Sequence, residues 1–288
     1  MIRLIHSNLA RLFHSSIFKA AEVFSIGYSF FVLIGSYISY KNHYGAEYNE
    51  QLKHGHFLDN MPLALAIVLP IVLAIVIGFF IGAEYSDGTM RNKLIAGHSR
   101  ISIYFANMLA AYAASVILFL SSVIVIYAVG IPLYGPTSIP FTEYAKAFLV
   151  VLIAGFAFCS LYTLFCMAIQ NKAAGVVTVL LIAIIMYMVM MTINARLEEP
   201  EYYDNYTYTQ DAQNPIHIDK QKNPHYLTGK KRVFYEKLVA FLPYDHMFYL
   251  LQNITLPKKP YEFPVNSGIL IFVTTAAGIL IFKKKDLK

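Results

Sequence analysis

The amino-acid sequence predicts an all-α polytopic membrane protein with six transmembrane helices, an N-terminal amphipathic helix and an extracellular segment between spans 5 and 6. Hydrophobic residues make up 57% of its 288 residues and charged residues 14%, whereas a soluble domain carries about 25% charged residues. The hydrophobic residues fall in runs of about 20, the length that crosses a hydrocarbon core about 30 Å thick. The composition therefore argues against an ordinary soluble domain.

Six apolar runs define the predicted spans. They are Ala21–Tyr40, Leu63–Ala83, Ile101–Val129, Ala147–Ile169, Ala173–Ala195 and Val265–Phe282. Residues 1–195 then hold the amphipathic helix and spans 1–5, residues 196–264 form a polar, Tyr-rich extracellular segment, and residues 265–288 hold span 6 and a basic tail. We expect these parts to form one transmembrane domain.

Basic residues predict the orientation of the spans. An even number of spans places both termini on one side of the membrane, and the bases are concentrated in the segments of that side. Those segments hold Arg3, Arg11, Lys19, Arg91, Lys93, Arg100, Lys172, Lys283, Lys284, Lys285 and Lys288, whereas the short segments of the other side hold Lys41, Lys53 and Lys146. Because cytoplasmic loops carry an excess of basic residues, we expect both termini in the cytoplasm. The net charge of +6 then needs no nucleic-acid partner.

The first residues form a predicted amphipathic helix. Apolar side chains recur there at helical spacing, with polar side chains between them. The apolar positions are Ile2, Ile5, Leu9, Leu12, Phe13 and Ile17, and the polar ones are Arg3, Ser7, Asn8, Arg11, His14 and Ser15. The helix is expected either to lie in the inner membrane interface or to pack on the protein's own cytoplasmic surface, and both can be true.

A short charged segment between spans 2 and 3, Gly82–Arg100, is called the island here. Asp87-Gly88 is a turn signal. Asp87 or Thr89 is expected to cap a helix of about two turns over Met90–Ala96.

The end of the island helix is also marked in the sequence. Gly97 is expected to end the helix, and Ser99 to cap span 3. Met90 and Leu94 are four residues apart and share a face, which we expect to be presented to a cytoplasmic partner. The alternative is a basic anchor without a partner, with Glu84 reaching the membrane interface. The bases that would then only hold the topology are Arg91, Lys93 and Arg100.

The order of residues in the island forms a pattern. A Glu ends span 2, Gly-Thr follows, then a small helix, and Ser-Arg precedes span 3. This pattern resembles the signature of ABC-2 type permeases, the membrane subunits of ATP-binding-cassette exporters. The amphipathic start, the six spans and the basic ending fit as well. The matching positions are Glu84, Gly88, Thr89, Arg91 and Arg100 in the island, and Phe282, Lys284 and Asp286 at the ending.

The resemblance implies that the island is a coupling helix that docks on a separate ATPase subunit, which would hold ATP and Mg. It also implies a second permease chain, identical or different, and a place among the lipids of the bacterial plasma membrane. The implied function is export of an amphipathic substrate, such as an antimicrobial peptide, a lipid or a drug-like molecule. The expected docking residues are Glu84, Asp87, Gly88, Thr89, Arg91, Lys93, Leu94 and Arg100.

Motifs for catalysis and cofactor binding are missing from the sequence. There is no G-x-x-x-x-G-K-[ST] phosphate loop, no H-E-x-x-H metal motif and no G-x-S-x-G nucleophile elbow. We therefore expect no catalytic residue, metal or cofactor in this chain. A second interpretation is a membrane anchor or sensor whose outer segment binds a ligand and whose island recruits a partner.

The extracellular segment is expected to contain two short amphipathic helices that are separated at Pro243. They would lie on the outer leaflet or cover the exit of a translocation path. Their apolar positions are Val233, Leu238 and Phe241, then Met247, Leu250 and Leu251.

Overall fold

The computed structural model describes residues 1–45, 57–203, 206–211, 214–218, 220–257 and 259–285, with the backbone alone at Tyr44, 206–211 and 214–218. Within these residues six helices are long and apolar enough to cross a membrane. Spans 1 to 6 run over Ser16–Tyr44, Ala64–Ser86, Arg100–Tyr134, Phe141–Ile169, Lys172–Leu197 and Glu262–Lys284. The six predicted spans and the membrane fold class are confirmed.

Several spans extend further than the apolar runs that predicted them. Span 4 begins at Phe141 instead of Ala147, because the polar residues between them continue the helix. Lys146 pairs with Glu143 at 2.7 Å, and the hydroxyl of Tyr144 donates to the carbonyl of Asp59 at 2.9 Å. Hydropathy marks the part of a helix that lipid covers and not the polar turns beyond it.

Span 2 is the most buried of these six helices and packs closely against span 5. A Cβ atom at Gly78 would lie 3.0 Å from the Cα atom of Val176, and one at Gly82 would lie 2.9 Å from the Cα atom of Lys172. Small residues four apart let two helix backbones approach each other inside a membrane. The glycines therefore fix span 5 against the end of span 2 that leads into the island.

Hydroxyl groups join other spans inside the bundle. Span 1 contacts span 3 through Ser29 and Ser122, whose Oγ atoms are 2.7 Å apart. Span 4 contacts span 6 through Ser160 and Thr274 at 2.8 Å. Such bonds between helices add to packing where water does not compete.

The amphipathic helix, Ile2–His14, packs against span 3 and buries Leu4, Asn8 and Leu12. The second of the two expected arrangements is thus present, while Ile2 remains 83% exposed. Asn8, which the sequence placed among the polar positions of this amphipathic helix, is buried. Asn8 lies four residues from both Leu4 and Leu12, so it shares their buried face.

The segment after span 5 contains the two expected outer helices, Gly229–Ala240 and Pro243–Gln252. Pro243 occupies the first turn of the second helix, where a missing N–H is tolerated. In its described part, the segment also contains four short strands that the sequence did not predict. Tyr202–Tyr203 pairs with Gln221–Lys222, and Tyr206–Asp211 pairs with Asn214–Ile218, both antiparallel.

Candidate coupling site

The island helix runs from Thr89 to Ile95 and begins at a glycine cap. Gly88 has φ 68° and ψ 5°, in the left-handed region that favours glycine. The expected capping by Asp87 or Thr89 is wrong, because neither side chain reaches the first turn. Asp87 accepts from Ser86 at 2.9 Å, and Thr89 donates to the carbonyl of Glu84 at 3.2 Å.

The end of the island helix agrees with the prediction. Gly97 has φ 82°, its N–H donates to the carbonyl of Leu94 at 2.9 Å, and His98 donates to Lys93 at 3.1 Å. These two bonds form a Schellman motif, which satisfies the last carbonyls of a helix. Ser99 then caps span 3 by accepting from the N–H of Ser102 at 3.2 Å.

Glu84 is fully buried at the end of span 2 and binds two cations. Its Oε1 lies 2.6 Å from Nη2 of Arg11 and also contacts Nζ of Lys93. Its Oε2 accepts from Nδ2 of Asn107 in span 3 at 2.8 Å. The anchor alternative expects this carboxylate to reach the membrane interface. The carboxylate instead lies buried among these three partners.

Two amides extend this arrangement into a closed network. Asn8 donates to Oδ1 of Asn107 at 2.7 Å and accepts from Nζ of Lys93 at 2.8 Å. The polar network, defined as Asn8, Arg11, Glu84, Lys93 and Asn107, thus joins the amphipathic helix, span 2, the island helix and span 3.

Charge balance within the polar network depends on Glu84. Burial lowers the pKa of Lys93 and of Arg11, and the attraction of the Glu84 carboxylate opposes this effect for both groups. Removing one partner of a buried ion pair leaves an uncompensated charge, which typically costs about 3–5 kcal/mol. Glu84 is therefore the counter-charge that both partly buried cations of the polar network require.

The exposed face of the island helix differs from the one that the sequence predicted. Met90 is 2% exposed and packs into the core of the bundle, with Leu94 packed against the same core. The predicted presentation of a Met90 and Leu94 face is wrong, because that face anchors the helix to the protein. The side chains left exposed are called the island surface and are Arg91, Asn92, Ile95 and Ala96.

Arg100 lies apart from the polar network and has a different set of contacts. Its Nη1 donates to the carbonyl of Phe282 at 2.7 Å and also to that of Lys285. The ammonium of Lys285 in turn binds the carbonyl of Ala168 at the end of span 4. These bases satisfy carbonyls at helix ends, where positive charge is favoured.

The structure thus brings Glu84, Thr89 and Lys93 together, while Arg91 lies on the island surface. Sequence reasoning missed Asn8, Arg11 and Asn107 as members of the polar network. One available signal was the position of Asn8 between Leu4 and Leu12. A second signal was the lone carboxamide of Asn107 among the apolar residues of span 3, because polar groups inside spans are costly unless paired.

The sequence profile of a family described as "ABC-2 family transporter protein" matches residues 14–287. The chain belongs to this family. The predicted resemblance is confirmed over nearly the whole sequence, and the protein is a multi-pass membrane protein of the ABC-2 transporter family. Among curated proteins, none matches the chain. The match begins at His14, so Asn8 and Arg11 of this ABC-2 protein precede it, whereas Glu84 lies within it.

Proposed function

We propose that this ABC-2 protein is the permease subunit of an ATP-binding-cassette exporter and that its island surface docks on a separate ATPase subunit. The observation that carries the proposal is a rigidly held helix with an exposed outer face. Gly88 and Gly97 fix its ends, Met90 anchors it to the bundle, and Ile95 is 74% exposed.

The polar network supports a mechanical role for the island. A displacement of the island helix would move Lys93 against Glu84, and Glu84 continues directly into span 2. Asn107 belongs to span 3 and Arg11 to the amphipathic helix, so the same displacement reaches all these elements. Buried charge networks favour discrete arrangements because a half-satisfied network is costly.

In the proposed transporter the ATPase holds ATP and Mg, and this chain with a second permease chain forms the translocation path. Both termini and the island would face the cytoplasm of a bacterial cell. Charged residues of the described spans lie near the helix ends. An apolar midsection suits an amphipathic substrate, such as an antimicrobial peptide, a lipid or a drug-like molecule.

The test is a charge placed on the island surface. Ile95→Asp leaves the core and the polar network untouched, so membrane levels should stay at those of the wild type. If Ile95 lies in the docking contact, an unpaired carboxylate there weakens association by roughly 1–3 kcal/mol, and the ATPase should be lost on co-purification. Ile95→Leu is the matched control and should retain the ATPase.

Transport is measured in parallel with substrate-stimulated ATP hydrolysis. Retention of the ATPase and of transport by Ile95→Asp would contradict docking through the island surface. Leu94→Asp would be a poorer test, because Leu94 packs against the core and its replacement would disturb folding.

A further inference from the structure

A polar cavity of about 420 Å³ lies where the amphipathic helix meets spans 1, 2 and 5, beside the island. Arg11, His14, Asp87 and Lys172 line it together with Ser16 and the ring of Phe80. The guanidinium of Arg11 stacks on Phe80 at 3.9 Å from the ring centroid. The cavity therefore combines two cations, one carboxylate and an aromatic wall.

An apolar groove of about 550 Å³ continues from this cavity between spans 1 and 2. Ser16 and Ile17 line both spaces, so the two are adjacent. Ala20, Phe24, Ile71 and Ile75 line the groove further along the helices. The distance from Ser16 to Phe24 along a helix is about 12 Å, close to the roughly 15 Å of one leaflet's hydrocarbon.

Lys172 contributes a cation to the wall of the cavity. Its Nζ lies 5.6 Å from the ring centroid of Phe79, and it forms no ion pair with any acidic side chain among the described residues. Lys172 is therefore available to a phosphate, which basic side chains bind through charge-assisted hydrogen bonds. The guanidinium of Arg11, although paired with Glu84, lines the same cavity and adds positive charge there.

We propose that the cavity and the groove together bind one glycerophospholipid with an ethanolamine headgroup, from the leaflet beside the island. Its phosphate lies between Arg11 and Lys172, its ammonium group faces Asp87, and one acyl chain fills the groove between spans 1 and 2. A headgroup with both charges matches a cavity with both charges. This inference does not depend on the proposed function, since a resident lipid would bind with or without an ATPase.

The absence of tryptophan from the sequence permits a direct test. Phe24→Trp places a single tryptophan in the groove, and Leu181→Trp places one at similar depth on the exposed face of span 5. The two wild-type side chains are comparably exposed, at 46% and 52%, so lipid can reach both positions. Each protein is reconstituted in phosphatidylcholine vesicles with rising fractions of phosphatidylethanolamine whose acyl chains carry bromine, a fluorescence quencher.

The tryptophan at position 24 should reach half-maximal quenching at a roughly tenfold lower mole fraction than the one at position 181, the effect typical of one charge-assisted hydrogen bond. Brominated phosphatidylcholine and phosphatidylglycerol should show a smaller preference for position 24. Soluble glycerophosphoethanolamine should not compete, because it lacks the acyl chain. Equal curves at the two positions, or a stronger preference for phosphatidylglycerol, would overturn the proposal.

Two further substitutions separate the headgroup from the acyl chain. Lys172→Gln removes the cation, and Ala20→Leu fills the groove without changing any charge. In each variant, the quenching curve of the tryptophan at position 24 should shift to match the curve of the tryptophan at position 181. The curve at position 181 should not change. A preference that survives Lys172→Gln would show that the cavity does not hold the phosphate, and one that survives Ala20→Leu would show that the groove does not hold the chain.

Discussion

Arg11 of the amphipathic helix and Glu84 of span 2 form an ion pair at 2.6 Å between two elements that are far apart in the sequence. Lys93 of the island helix shares the same carboxylate oxygen. Because Glu84 is fully buried, replacing either cation by water would lower the stability of the folded protein. The ion pair therefore ties the N-terminal helix to the island and makes the two a single mechanical unit.

Replacing Glu84 should destabilise the protein more than any other single charge change in the island. Glu84→Gln keeps the size of the side chain but leaves Arg11 and Lys93 without a counter-charge, at a cost of about 3 kcal/mol or more. The temperature of unfolding in detergent should fall clearly. Glu143→Gln is the matched control, because its exposed pair with Lys146 is worth about 0–1 kcal/mol. Equal shifts for the two variants would mean that the polar network contributes little to stability.

The turn before the island helix should tolerate alanine poorly for a purely conformational reason. A Cβ atom at Gly88 meets no atom within 4 Å, but its φ of 68° is strained for other residues. Gly88→Ala should cost about 1–2 kcal/mol. Gly268→Ala, within span 6 and equally unobstructed, should be neutral or stabilising by up to about 1 kcal/mol. Thermal unfolding of both variants tests whether the two substitutions change stability in opposite directions. An unchanged stability of Gly88→Ala would contradict the predicted backbone strain.

The spans could be predicted from sequence because hydropathy is a local property, as the apolar run from Leu63 to Ala83 shows. The glycine and serine that end the island were predictable for the same reason, since caps act within one turn. The polar network was not, because it requires Asn8, Glu84 and Asn107 to meet from three separate helices. Leu94 was placed on the wrong face because helical spacing shows which residues share a side but not whether that side meets protein or solvent.

A half-buried carboxylate outside the spans, Asp245, should make stability depend on pH. Burial raises the pKa of Asp245 to about 6, and a hydrogen bond from Asn194 partly opposes this shift. Since the folded pKa lies above the usual value near 4, the folded state binds the proton more tightly. The contribution of Asp245 to stability is then greatest below about pH 4 and falls as the pH rises through 6.

Asp245→Asn tests this dependence, because it removes the charge and keeps an oxygen that can accept from Asn194. At pH 8 the variant should unfold at a higher temperature than the wild type, with a gain of up to about 3 kcal/mol. At pH 4 the two proteins should differ little, so the low-pH measurement is the internal control. Burial lowers the pKa of His246 to about 4, so the contribution of this group to stability is lost as the pH falls through 6.5, but it is present in both proteins and cancels in the comparison. The same difference at both pH values would show that Asp245 is not the group responsible.

The orientation of the spans remains a prediction from the distribution of bases, and cysteine labelling of intact cells can test it. The two natural cysteines, Cys159 and Cys166, are buried and unpaired, so they should give a low background with a membrane-impermeant maleimide. Cysteine at Tyr226, in the segment after span 5, should react from outside, whereas cysteine at Arg91 or Lys284 should react only after the membrane is permeabilised. Labelling of the Arg91 position from outside would show that the orientation is the reverse of the predicted one. The island surface would then face away from any cytoplasmic ATPase, and the proposed coupling would fail together with the topology.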